Sequence, residues 1–328
     1  MRADERLPYL DFIRAAAATY IVGFWHLMNY TGGYAPGYAN AVTVRLTVLA
    51  LGSFFFVSGF LLGKGLPPKN VRDVLAFYKR RLLRIYPLFL FAIALYLITK
   101  SARPADLLAA AFLTSAFLSG HLTTLWFVGV LLCFYLMTPA LMYFASGSLH
   151  FLSVAVFFAC AMAALQAISP DPDPRLLLYF PSFSLGVYFA NRTLDEGRLA
   201  LVSAFCLLAL ELSLSGDQPV EKDLLSLPFA ALLPLALVAI CERISILRKP
   251  PPLVLTVSHA SFVMYLLHRP IYKELAHLAP HGLGRLLLLF GVGFPLVVLV
   301  SSRTQSFYDR LLANKPTKAV TPDGRPVS

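Results

Sequence analysis

YLDFIRAAAATYIVGFWHLMNY, residues 9–30, is a segment that water cannot easily accommodate. Its twenty-two residues include only two formal charges, Asp11 and Arg14, and one imidazole, His26. As a helix rising about 1.5 Å per residue it would extend roughly 33 Å, enough to cross the hydrocarbon core of a bilayer. The rest of the chain shares this character. Hydrophobic residues make up 58% of the 328, charged residues 14%, and the mean hydropathy is +0.70. Soluble domains hold roughly 45–50% apolar and about 25% charged residues, so a soluble globule is excluded. Disorder is excluded too, apart from a polar C-terminal end.

Ten stretches qualify as spanning helices: 8–30, 44–63, 85–99, 123–145, 150–168, 176–191, 199–215, 224–241, 253–272 and 284–301. The third is short and continues a helix begun near Phe77. Residues 105–119, ADLLAAAFLTSAFLS, are too short and too rich in small and polar residues for a crossing; they fit a re-entrant or interfacial segment. Loop charge favours ten spans over eleven. With the N-terminus inside, nineteen Lys and Arg fall on the inner side and seven on the outer side or rim. An eleventh crossing would move ten of the inner charges outside, against the positive-inside rule. The expected fold is therefore an all-α polytopic bundle of about ten transmembrane helices, both termini cytoplasmic, in the inner (cytoplasmic) membrane. Residues 1–312 form its single domain and 313–328 a disordered cytoplasmic tail.

The net charge of +11 reads as basic inner loops, with no nucleic-acid partner. Cys133, Cys160, Cys206 and Cys241 sit in or beside apolar runs without metal-type spacing, and read as packing residues. No metal and no cleavable signal peptide are expected.

Charged or titratable groups within a span cost roughly 2.5–3.5 kcal/mol each on insertion scales, so each needs a reason. Asp11 and Arg14 are three apart on one helix face and can pair; alternatively Arg14 snorkels to the inner interface. His26 lies about 18 Å further along. Its imidazole titrates near pH 6.5 and suits general-base work, though a histidine bonded to a neighbouring helix is the plainer reading. In the second span, LGSFFFVSGFLLGKG (51–65), Ser58 and Gly59 either allow close helix approach or line a cavity. FYKRRLLRIYPLF (77–89) sets Arg81 and Arg84 on one face. Such a pair anchors the inner interface or grips phosphate oxygens through guanidinium forks. Trp126 heads LWFVGVLLCFYLMTPAL (125–141) and could equally be an aromatic-belt residue. VSHASFVMYLLHRPIY (257–272) places Tyr265 and His268 on one face, with Arg269 also inside the span.

In this order, YLDFIRAAAATYIVGFWH, FFFVSGFLL, FYKRRLLRIYP and SFVMYLLHRPIY, with LWFVGVLLCFYLMTP as weaker support, resemble the integral-membrane acyltransferase-3 family in its stand-alone form. That resemblance implies an O-acyltransferase that moves an acyl group, expected to be acetyl, from cytoplasmic acyl-CoA to a hydroxyl of a surface or exported glycan or lipid-linked sugar. It implies His26 as general base or acyl carrier, Arg14 as the second essential residue, and Arg81 and Arg84 as the phosphate-holding pair. Asp11, Ser58, Gly59, Phe60, Trp126, Tyr265 and His268 would line the cavity. One departure stands out. The family places ten residues between the arginine and the histidine, whereas Arg14 and His26 have eleven between them. On a straight helix this leaves the two about 120° apart, and a single π-bulge, or an irregularity near Gly23, would restore the facing. The competing reading is a transporter or flippase whose intramembrane Arg and His form a substrate or proton path. The absence of an internal repeat counts against it.

Overall fold

Prolines and asparagines mark where many of the helices begin. Pro8, Pro104 and Pro252 stand in the first turns of their helices, where a missing backbone N–H costs nothing. The Asn40 side chain accepts from the backbone N–H groups of Val42 and Thr43 at 3.0 and 3.1 Å, while the Thr43 hydroxyl accepts from Asn40 N at 2.9 Å. This reciprocal capping box starts the second helix. Asn70 caps the third by accepting from Asp73 N at 2.9 Å.

The structure, a computed structural model, describes residues 7–33, 37–117, 124–169, 171–216, 219–220 and 223–313. Its helices are α1 (Pro8–Tyr20), running directly into a π-turn at Ile21–His26, then α2 (Ala41–Gly63), α3 (Val71–Ile98), α4 (Pro104–Ala111), α5 (Trp126–Phe144) and α6 (Ser148–Ile168). Then come α7 (Arg175–Phe189), α8 (Glu196–Ser215), α9 (Leu227–Arg243) and α10 (Pro252–Ala276). The last run is α11 (Leu283–Leu288), a second π-turn at Leu289–Gly293, and α12 (Phe294–Ala313). The expected tail, 313–328, lies outside the described residues from 314 onward.

Seven of these stretches are long and apolar enough to cross a membrane: α2, α3, α5, α6, α8, α9 with its leading turn, and the run Leu283–Ala313. The chain is an integral membrane protein built as an all-α polytopic bundle. α1, α7 and α10 pack among these seven; they are shorter or carry the polar residues of the site. α4 has eight residues, about 12 Å of rise, and does not cross.

α2 and α5 form the centre, with 61% of each apolar window buried inside the bundle, whereas α6 and α8 are peripheral at 11%. The tightest approach joins α2 to α7 through glycines. A Cβ on Gly59 would run into the Phe183 carbonyl, and one on Gly186 into the Phe56 carbonyl, so only hydrogen fits at either place. Ser182 Oγ donates to the Gly52 carbonyl at 2.8 Å across the same helices, and Asn191 Nδ2, in the turn after α7, donates to the Gly63 carbonyl at 3.0 Å. An aromatic column fills the middle. Phe55 lies 4.7 Å from Phe127 and 5.0 Å from Tyr179, and Trp126 lies 6.0 Å from Tyr179. The Arg175 guanidinium, held by both carboxylate oxygens of buried Asp173 at 2.7 Å, caps the Trp126 ring at 3.9 Å. All four cysteines are free, and the packing role holds unevenly: Cys133 is buried, but Cys160 is exposed on peripheral α6.

Candidate active site

The first span is not a straight α-helix. At Ile21–His26 it widens into a π-turn, which takes up one surplus residue without breaking the chain of backbone bonds. Two contacts hold the wide turn in place. The Tyr272 hydroxyl donates to the Val22 carbonyl at 3.1 Å, and Gly23 lies against the Phe294 ring so closely that a Cβ there would be 2.9 Å from it. As a result Arg14 and His26 both face α10. Arg14 Nη2 donates to Ser261 Oγ at 3.1 Å, and the His26 ring stacks on His268.

Between α1, α2, α3, α5, α10 and α12 lies a cavity of about 370 Å³. Its mouth carries His259, whose Nε2 is 2.8 Å from Asp309 Oδ2, and Gln305, which donates to Asp309 Oδ1 at 2.9 Å. Arg81, Arg84 and Tyr135 line the same end. Tyr78, one turn before Arg81, donates to the Leu136 carbonyl at 2.8 Å and fixes α3 at that level of α5. Among the described residues no carboxylate pairs with Arg81 or Arg84, and the Arg81 Nε is buried without a hydrogen-bond partner. Two guanidinium groups at the entrance of the cavity, with no carboxylate partner among the described residues, are chemically suited to anionic oxygen.

Arg14 and Ser58 lie further in. Arg14 belongs to a ladder of groups spaced three apart on facing helices: Ser258 Oγ donates to Asp11 Oδ1 at 2.6 Å, and Ser261 Oγ to the Ser258 carbonyl at 2.8 Å. The cavity ends at Phe54, Phe127 and Tyr265. Behind that end the His26 and His268 rings lie parallel within 5°, centroids 4.7 Å apart, and each ring is 5.9 Å from Tyr265. His268 is fully buried; its Nδ1 is 3.1 Å from the Met264 carbonyl. A carbonyl only accepts, so Nδ1 carries a proton, and in the neutral ring Nε2 keeps a lone pair. That Nε2 and the His26 Nδ1 are both buried without a hydrogen-bond partner. Past the histidines, Arg269 donates to the Tyr30 hydroxyl at 3.0 Å and to Thr124 Oγ1 at 3.4 Å.

Of the residues singled out from the sequence, Arg14, Ser58, Arg81, Arg84 and Tyr265 line the cavity together. His26 does not line it but packs against Tyr265 at its end. Five others, expected to line it, are placed elsewhere. Asp11 is turned to Ser258. Gly59 is the contact with α7, and Phe60 is buried with Phe56 on the far side of α2. Trp126 is sandwiched between Arg175 and Tyr179, and His268 lies beneath His26. Ser258, Ser261, Phe54, Phe127 and Tyr135 were missed. A signal existed for the serines, whose i, i+3 spacing on α10 matches that of Asp11 and Arg14 on α1.

A cavity with arginines at its entrance and imidazoles behind its end thus lies within a membrane-spanning helical bundle. The chain belongs to the acyltransferase 3 family, whose acyltransferase domain model matches residues 7–302. Searches of curated proteins and of solved structures each return no match. Membership makes the protein an acyl-transferring enzyme, and the transport reading of the same residues gives way to it.

Proposed function

We propose that the protein moves an acyl group, acetyl first among them, from cytoplasmic acyl-CoA to a hydroxyl of a surface or exported glycan or lipid-linked sugar. It would sit in the cytoplasmic membrane with ten spans, α1, α7 and α10 joining the seven most apolar stretches, and with both termini inside. One observation carries the reading: a single cavity joins Arg81 and Arg84 at its mouth, with no carboxylate partner among the described residues, to Arg14, and ends at a ring that touches His26.

The donor's phosphates cannot enter hydrocarbon, so they rest on Arg81 and Arg84 while the pantetheine arm follows the cavity inward. The thioester then lies near Tyr265. His26 takes the proton of the acceptor hydroxyl as its oxygen attacks the thioester carbon; the C–S bond breaks, and the proton passes to the departing thiolate. Arg14, bonded to Ser261 Oγ, holds the donor's arm along the cavity, short of the reacting carbonyl. The apolar walls keep out water that would hydrolyse the donor.

The test is transfer of label from [14C]acetyl-CoA to endogenous glycan in membrane vesicles, comparing the wild type with His26→Ala. Label in glycan that falls at least ~100-fold in the variant supports the proposal. Unlabelled glycan with the wild type, or equal labelling by the variant, overturns it.

A further inference from the structure

The blind end of the cavity is built from rings. Phe54 is the innermost lining residue of α2, Phe127 of α5 and Tyr265 of α10, counting from the end that holds Leu62, Tyr135 and His259. Eight, eight and six residues separate these pairs, so the cavity runs roughly 9–12 Å inward from the arginine level. Phe54 and Phe127 meet at 6.2 Å and Phe127 and Tyr265 at 5.0 Å, a row of three adjoining rings that leaves the Tyr265 side as the approach to His26. On its far side Tyr265 touches both histidines.

We propose that Phe54, Phe127 and Tyr265 form a wall that limits the length of the transferred acyl chain. This inference rests on the acyl-CoA reading above. A donor held by its phosphates at Arg81 and Arg84 extends toward this row, and its thioester carbon must lie beside Tyr265 to come near His26. The carbons beyond the carbonyl then meet the Phe54 and Phe127 rings, which are themselves packed. Phe127 is backed by Phe55 at 4.7 Å and Trp126 at 6.0 Å, so it cannot retreat to admit a longer chain. Phe54 is only half-buried, and its side chain is the part of the wall that can be shortened with the least disturbance.

The experiment measures initial rates of transfer from acetyl-, propionyl-, butyryl- and hexanoyl-CoA in vesicles carrying the wild type, Phe54→Leu, Phe54→Ala and Phe54→Trp. Rates are normalised to the amount of folded protein. In wild-type vesicles hexanoyl transfer is expected at least ~100-fold below acetyl, since each excess methylene in a closed pocket costs about tenfold or more. Phe54→Ala narrows that ratio at least ~10-fold, Phe54→Leu narrows it less, and Phe54→Trp widens it by filling the end of the pocket and penalising hexanoyl further. If Phe54→Ala does not fold, the opposed shifts of the Leu and Trp variants decide. A wild type that uses acetyl and hexanoyl equally overturns the wall, and so does a ratio that none of the variants moves. Wild-type vesicles that transfer from none of the four thioesters refute the acyl-CoA reading, and the wall with it.

Discussion

Deleting Phe24 tests whether the π-turn exists to aim His26. From Arg14 to His26 there are twelve steps, and at about 100° per residue a regular helix would carry His26 through 1200°, or 120° off the Arg14 direction. Eleven steps make 1100°, only 20° off. The π-turn at Ile21–His26 performs this correction, and both side chains reach α10. With Phe24 deleted, the same segment closes as ordinary α-helix and His26 keeps its facing, while Gly23 stays beside Phe294. With an alanine inserted after Gly23, one π-turn absorbs one surplus residue and not two, so His26 swings by about 100° away from His268 and Tyr265. General-base catalysis is worth about 10²–10⁴-fold. The deletion should therefore retain acetyl transfer within about tenfold of the wild type, and the insertion should fall at least ~100-fold, to the level of His26→Ala. Vesicle transfer assays, with protein levels and monodispersity checked in detergent, give the comparison. A well-folded deletion variant as inactive as His26→Ala would refute the angular reasoning, as would an active insertion variant.

The remaining predictions concern packing and charge. Gly59→Ala and Gly186→Ala each push a methyl group into a backbone carbonyl across the α2–α7 contact and should destabilise by about 1–3 kcal/mol or more, seen as earlier melting in detergent. Gly284→Ala, in α11 with open space around it, should be neutral or stabilise by up to about 1 kcal/mol. On the proposed acyl-CoA reading, Arg81→Ala and Arg84→Ala should raise the KM for acyl-CoA by ~10–100-fold and change kcat less, because that reading sets them on a part of the donor remote from the bond that breaks; a kcat loss at unchanged KM would place them elsewhere. Ser258→Ala removes a 2.6 Å bond to a buried carboxyl group and should cost about 1–3 kcal/mol, measured as a lower melting temperature; an unchanged melting temperature would mean that bond contributes nothing.

The bundle was legible because hydrophobic length is a property of single segments. The short segment 105–119 was legible for the same reason, and α4 with its eight residues is the outcome. The residue count between Arg14 and His26 even pointed to a wide turn, since spacing along one helix converts directly into angle. Which residues meet across helices was not legible. Gly59 and Phe60 follow Ser58 in sequence, yet Ser58 lines the cavity while Gly59 seats α7 and Phe60 packs with Phe56. Adjacent residues on a helix point about 100° apart, and with apolar residues on every side of α2 nothing in the sequence says which direction is inward.

Amino-acid order alone determined that the chain crosses a membrane, that Asp11, Arg14, His26 and His268 lie where charge is costly, and that Arg81 and Arg84 share a face. Only the packed helices decided that Arg14, Arg81 and Arg84 open onto one cavity, that His26 rests on His268 behind Tyr265, and that Trp126 is enclosed by Arg175 and Tyr179. The physical reason is that burial in lipid depends on composition, which is local. The rotation of each helix about its axis depends instead on glycine contacts and interhelical hydrogen bonds made by residues as far apart as Asp11 and Ser258.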